Sequence, residues 1–390
     1  MTRQPKLLFL GAPLKGGRSY LFKNMGTFAD FSHALYGFHL SKAGYGEKLY
    51  HSIESLCAIA KEFFEDELGK IDEREFGHIY LFGAKACEKK ARLKKWIVRV
   101  IDKINTFVKA ESDNDLYAAD GLYRLLFDEK TGLPQYKHLT SVVKKHTDFY
   151  RVRNAKKYEL YDRKGMFVLS DRLEHLVGPG RFNPSGYACL YLASNLYLAW
   201  EECRRPDFDT FNFSRFQNTR DLEVIDLTIR RTFYYREHFL LAYLALLCTA
   251  KTTDEDKHKF QYVVPQMMMK VLCASQRQRE KTAKGAPMID GIKYMTSRSY
   301  DQKDLLFDDR QLTEAYVFPQ HPHGDDKDVC PYLTRLFRLT EPRSYFLLKS
   351  HRFQFFNRTA YVSRYQDSLF YQMEETLKKD RLATYNIKDK

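Results

Sequence analysis

Apolar residues recur at helical spacing through much of the first third of the chain. In "SIESLCAIAKEFFEDEL" (52–68), Leu56, Ile59, Phe63 and Leu68 fall near one face of a helix. The stretch "CEKKARLKKWIVRVIDKINTFV" repeats the pattern. Leu93, Ile97, Val100 and Ile104 share a face, and Lys89, Lys90, Arg92, Lys94, Lys95 and Arg99 lie beside or opposite it. The spacing predicts a basic amphipathic helix, either a solvated face or a patch for nucleic acid or a partner. After about residue 147 the texture changes. Short β-type segments, "DFYRVR" (148–153), "GMFVLS" (165–170), "ACLYLAS" (188–194) and "LEVIDLTI" (222–229), alternate with turns. Helical stretches at 195–204, 236–250 and 265–277 intervene. That mixture predicts an α+β domain rather than regular βαβ repeats. Three parts follow: a mostly helical region over 1–145, an α+β domain over 146–345, and a helical tail with a polar end over 346–390.

At 390 residues the chain exceeds one small core. Aromatic residues make up 15% of it, enough for a large buried interior. The most apolar run, "FLLAYLALLCTA" (239–250), has 12 residues. A bilayer needs about 20, so the run predicts a buried core helix and no membrane span. The N-terminal "LLFLGAPL", broken by Gly11 and Pro13, makes a poor signal peptide. Seven scattered cysteines without a CxxC pair argue for a reducing, cytoplasmic setting. "HPHGDDKDVC" (321–330) fits no metal-ligand spacing, so no metal is expected. "GAPLKGGRS" lacks the lysine of a phosphate-binding loop: Gly17 stands in its place. The net charge of +14 favours anionic partners without choosing among them.

The segment "GRFNPSGYACLYLASNLYLAWEECRRP" (180–206) concentrates candidate chemistry. Its Gly- and Pro-rich head is a loop. "ACLYLA" is strand-like, with Leu190 and Leu192 on one face and Cys189, Tyr191 and Ala193 on the other. Ser194 or Asn195 can cap the short helix that follows. Helical spacing sets Glu202 beside the apolar stripe and turns Glu201 toward solvent. A strand-to-helix unit of this kind can gather Arg181, Tyr191 and Glu202 around one cleft. An arginine grips a phosphate through its fork of donors. A tyrosine face stacks on a planar ring. A carboxylate stabilises the cation that develops as a glycosidic bond breaks. A ligand with a diphosphate, a ribose and a cationic leaving ring, such as NAD, suits all three. The same residues also suit an ordinary fold: Arg181 paired to a surface acid, Tyr191 in the core, Glu202 solvated.

Four segments in order resemble the RES-domain family. "DFYRVR" resembles its opening strand, and the 180–206 segment its arginine loop, strand and glutamate helix. "FQYVVPQMMMKVL" (260–272) resembles its Tyr-x-x-Pro-Gln helix start, and "IDGIKYMTSR" (289–298) its serine segment. The resemblance covers about 148–345. It implies an ADP-ribosyltransferase-like fold of small β-sheets flanked by helices. It also implies an NAD-degrading enzyme, with NAD as substrate, phosphate as an optional co-substrate and no further cofactor. Carried over by residue, it implies roles for Tyr150 and Arg151 (with Arg153 as a second candidate), Arg181, Tyr191 and Glu202. The family serine position holds Thr296 here, with Ser297 one residue later. Many members are toxins paired with an antitoxin, so an antitoxin or immunity protein, or a second copy, are expected partners. Two other functions remain open: ADP-ribosyl transfer to a protein or nucleic acid, and nucleic-acid or partner binding by a decayed domain.

Overall fold

The computed structural model describes residues 27–40, 52–79, 85–113, 115, 118–167, 177–230, 232–250, 259–282, 289–296, 314–320, 330–345 and 365–384. The stretches "LLFLGAPL" and "GAPLKGGRS", the His- and Asp-rich residues 321–329, Ser297 and the second half of "GMFVLS" lie outside these. The described start of that last segment is a 3-10 turn, Lys164–Met166.

Helices α1 (Phe28–Leu40), α2 (Ile53–Lys70), α3 (Ala86–Ser112) and α4 (Ala118–Leu126) form a layer before the sheet. Helix α2 begins where Ser52 and Ser55 cap one another reciprocally: the Ser52 hydroxyl accepts from Ser55 N at 3.2 Å, and Ser55 Oγ from Ser52 N at 3.0 Å. Its apolar stripe is buried from Ile53 to Leu68, as the spacing predicted. In α3 the residues Leu93, Ile97, Val100 and Ile104 are likewise buried. Two of its lysines are occupied locally: Lys89 and Lys90 donate to the carbonyls of Gly77 and Ile71.

Among the described residues one sheet of ten strands, rather than several small sheets, follows. The strands are β1 (Thr140–Val143), β2 (Asp148–Asn154), β3 (Cys189–Ala193), β4 (Phe211–Asn218), β5 (Leu222–Leu227), β6 (Ile289–Met295), β7 (Glu314–Pro319), β8 (Phe337–Leu339), β9 (Arg343–Ser344) and β10 (Ala383–Thr384). Their order is β1-β5-β6-β7-β3-β2-β4-β8-β10, with β9 also on β4. Among the described strands only β5 and β6 pair parallel. The helices between strands are α5 (Leu196–Glu202), α6 (Arg236–Cys248), α7 (Val263–Thr282) and α8 (Pro331–Leu336); α9 (Leu369–Lys379) precedes β10. The fold class is α+β, with helices preceding a mixed sheet.

Side-chain alternation divides the sheet into two apolar faces. Phe149, Leu190, Leu192, Phe216 and Phe318 pack on one side with Leu333 and Leu336 of α8. Tyr150, Val152, Ala193, Phe213, Ile225, Ile292 and Val317 share the other side with the helices. Helix α6 is apolar nearly all round and buried from Glu237 to Cys248, as a helix enclosed on every side must be. It lies among β5, α2, α3 and α7, and α7 also meets α3 and α4. The N-terminal helices therefore share one core with the sheet. No helix among the described residues is long and apolar enough to cross a membrane.

Gly291 marks a close approach of β6 and β7. A Cβ there would lie 2.5 Å from the Val317 carbonyl oxygen and 2.6 Å from the Phe318 ring. Gly291→Ala should lower stability by about 1–3 kcal/mol through overpacking. Urea unfolding measures this, and an unchanged midpoint would contradict the packing.

Candidate functional site

The site begins at a fork in the sheet. Strand β2 pairs with β4 along its whole length, from Asp148–Gln217 to Asn154–Phe211. Strand β3 pairs with β7 from Cys189–Pro319 to Ala193–Ala315. Between them β2 and β3 share a single pair, Tyr150–Ala193. Beyond it the strands part, so 151–154 and 189–192 line opposite sides of the opening. Unpaired strand edges expose backbone groups that need partners. The end of α5 supplies one: Cys203 Sγ donates to the Val152 carbonyl at 3.2 Å.

Helix α5 starts at Asn195, whose side chain accepts from Leu198 N at 2.8 Å. Glu202 is its last residue, next to Cys203, and so stands at the fork. Its carboxylate is near enough to push up the pKa of the Tyr191 phenol, though burial is the larger cause. Arg181 acts on the same phenol in the opposite direction. Arg181, Tyr191 and Glu202 thus form one electrostatic neighbourhood. Glu202 is half-buried and makes no hydrogen bond or ion pair among the described residues.

The loop carrying Arg181 is tied down on three sides. Tyr191 Oη donates to Asn183 Oδ1 at 2.7 Å and accepts from Phe182 N at 3.1 Å. Gln266 Nε2 donates to the carbonyls of Gly180 (3.1 Å) and Asn183 (3.3 Å). The Phe182 ring packs on Tyr294 of β6 with centroids 4.5 Å apart. Gly180 leaves no room for a side chain, since a Cβ would lie 2.3 Å from Asn183 Oδ1. Arg181 itself donates from Nη1 to the carbonyls of Cys248 (2.9 Å) and Ala250 (3.0 Å). Those carbonyls close the C-terminal end of α6, where the helix dipole favours a cation. The guanidinium also lies over the Tyr262 ring, 5.4 Å from its centroid. Tyr262 and Gln266 belong to the Tyr-x-x-Pro-Gln stretch, so this helix start is the cradle of the arginine loop. The motif was legible in sequence, but these roles needed the third dimension.

The other expected site residues divide. Arg151 follows Tyr150 at the start of the fork; by alternation it points to the face of Phe149 and Arg153, opposite that of Tyr191, with Cys203 near it, and its Nε and Nη1 are enclosed without hydrogen-bond partners among the described residues. Burial first, then the neighbouring Arg153, lower its pKa to about 10. Enclosed donors of this kind suit an anionic ligand. Arg153 is engaged elsewhere: it donates to the Gly165 carbonyl and lies 5.0 Å from the Tyr161 ring centroid. Tyr150 is only 3% exposed. It faces α9, where burial first and then Glu374 and Asp148 push its pKa up. Thr296 is fully buried directly after β6, two residues on from the Tyr294 that packs on the arginine loop.

One expectation is corrected. Glu201 does not face solvent: it is 2% exposed, and its Oε2 accepts from Arg205 Nε at 2.7 Å. Periodicity saw one apolar stripe on α5, but α9 covers a second face of the helix. Phe370 of α9 packs on Tyr197 and Trp200 at 5.3 and 5.2 Å between centroids. Arg204 and Arg205, at φ 67° and 52°, turn the chain back so that Arg205 meets Glu201. Left-handed backbone at non-glycine residues is strained and tends to cluster at functional sites.

Comparison with known proteins covers the same stretch of the chain. Residues 148–327 match the RES domain. A curated relative from Bacillus subtilis (strain 168), named "Putative toxin YopC", is 23% identical over 224 residues, covering 52% of this chain. The match spans 48% of that protein's length. No solved structure matches the chain.

Tyr191→Phe would leave Asn183 Oδ1 and Phe182 N without their shared partner. The variant should lose about 1–3 kcal/mol of stability, the cost of stranding buried polar groups. Denaturant titration measures it, and a loss under about 0.5 kcal/mol would contradict the loop tether.

Proposed function

We propose, from the premise that residues 148–327 are a RES domain, that the fork binds NAD and breaks the bond between its nicotinamide and ribose. The observation that carries this is the convergence of Arg181, Tyr191 and Glu202, with the Glu202 carboxylate left unengaged among the described residues. Half-buried beside Tyr191, Glu202 can offer that carboxylate to a ligand.

In this reading Arg151 reaches the diphosphate through the opening from the face opposite Tyr191, its enclosed donors lacking partners among the described residues. Arg181 is anchored through Nη1 and orients its guanidinium toward the same anion or an incoming phosphate. Tyr191 fixes the arginine loop through its hydroxyl and presents its ring beside the nicotinamide riboside. Glu202 hydrogen-bonds the ribose and stabilises the positive charge that develops at the anomeric carbon. As the C–N bond breaks, its electron pair leaves with the ring nitrogen, and neutral nicotinamide departs. An oxygen of phosphate or water forms the new C–O bond; with water, a proton is released as well. Thr296, or Ser297 beside it, positions the substrate.

NAD depletion would harm a cell, which fits the printed name of the relative. We therefore assign this chain a toxin-like role, restrained in its host by an antitoxin or immunity partner.

The purified chain should release nicotinamide from NAD, and the products formed with and without phosphate distinguish phosphorolysis from hydrolysis. Label carried onto a protein or nucleic acid would instead indicate ADP-ribosyl transfer. Glu202→Gln should lower kcat by about 10²–10³, as expected when a charge-stabilising group is lost from a transition state. A folded wild-type protein that leaves NAD intact under both conditions would overturn the proposal.

A further inference from the structure

Glu374 lies outside the matched domain, on α9, yet reaches into the helix that carries Glu202. It is 4% exposed, and its Oε1 accepts from Leu196 N, the first residue of α5, at 2.6 Å. The same oxygen accepts from the Tyr365 hydroxyl. Leu196 N is one of the amides that a helix start leaves without a partner inside the helix. Asn195 satisfies Leu198 N, and Glu374 satisfies Leu196 N. The other end of α5 is fixed by Arg205 on Glu201, by Trp200 Nε1 on the Pro206 carbonyl at 2.9 Å, and by Cys203 on β2. The C-terminal segment is anchored in turn. Arg343 holds Asp380 with two hydrogen bonds, at 3.0 and 2.8 Å, and β10 pairs with β8.

We propose that Glu374 is a positioning residue for Glu202: by closing from α9 on the Leu196 amide, it fixes where α5 lies along the sheet and so where its last carboxylate meets the fork. This rests on the reading of Glu202 given above. Seven residues make about two helical turns, so a slip at Leu196 is transmitted directly to Glu202.

The groups facing Glu374 give the clamp a pH dependence. Tyr150 and Asp148 come from β2, and Tyr365 from the turn before α9. Arg215 of β4 lies across from Tyr150 and is paired to Asp148 at 3.3 Å. Lys378 and Glu375 stand on α9 itself. Burial outweighs the two donors and Lys378 and raises the carboxyl from 4.5 to about 7. The closed clamp thus favours the protonated acid. Its advantage over an open, solvated state is full below pH 4.5, falls as pH rises, and levels off above about pH 7.

Two measurements on the full chain test this: nicotinamide release and amide protection of residues 196–202. Glu374→Ala should lose at least about tenfold in kcat with its circular dichroism unchanged, as expected when a supporting contact lets a catalytic group shift. Glu374→Gln, which keeps an acceptor for Leu196 N, should recover kcat to within about threefold. Protection in the wild type should fall at least about tenfold between about pH 5 and pH 7.5, while Glu374→Gln stays flat. Glu374→Ala within about twofold of wild-type kcat, or Glu374→Gln with wild-type pH dependence, would overturn the clamp and leave the NAD reading standing. If the wild type leaves NAD untouched, the functional reading fails, and protection alone decides. Loss of protection in Glu374→Ala with a flat Glu374→Gln then supports the clamp, and any other pattern overturns it.

Discussion

The single pairing between Tyr150 and Ala193 sets the rest of the molecule. A sheet that paired β2 and β3 along their full lengths would have no opening. Two strands that did not meet at all would not hold Arg151 and Tyr191 in register. One pair does both: it joins the two halves of the sheet and lets them diverge. Short connections fill the space. The arginine loop enters before β3, and α5 leaves after it and folds back, so the residues at the mouth come from one stretch of 27 positions, 180–206, plus the adjoining β2.

Around this fork the fold acts as a set of braces. Helices α6 and α7 hold the arginine loop through the Cys248 and Ala250 carbonyls, Tyr262 and Gln266. Those two helices pack against α2, α3 and α4, so the N-terminal layer supports the arginine side. On the other side α9 packs on α5 and supports the glutamate. The regions flanking the matched domain each buttress one of the two charged groups. Rigid support of this kind is what keeps a charge-stabilising group at its working distance.

Much of this was legible in the residues. The alternation Leu190/Leu192 against Cys189/Tyr191/Ala193 is the division between the two apolar faces. Asn195 caps α5, one of the two caps that the sequence offered. The buried helix at 239–250 is α6. What remained hidden depends on contacts distant in sequence. Glu201 and Glu202 differ because α9, some 170 residues on, covers one of them, and local spacing carries no trace of that. The roles of Tyr262 and Gln266 come from a loop about 80 residues earlier. Arg151 and Arg153 point the same way by alternation, and only the turn at 161–165 shows which is already engaged. Glu374 had no signal at all: one of two adjacent acids on an amphipathic helix, it reads as solvated until its partner is seen.

Binding of intact NAD to the Glu202→Gln protein tests the central claim most directly, because it separates recognition from turnover. Nuclear magnetic resonance should show saturable one-to-one binding that shifts the ring signals of Tyr191, and Arg151→Ala in the same background should weaken it at least about tenfold, the usual scale for a lost charge-assisted contact. Saturable binding that leaves Tyr191 unshifted and is indifferent to Arg151, or no binding by a folded protein, would contradict a nucleotide site at the fork.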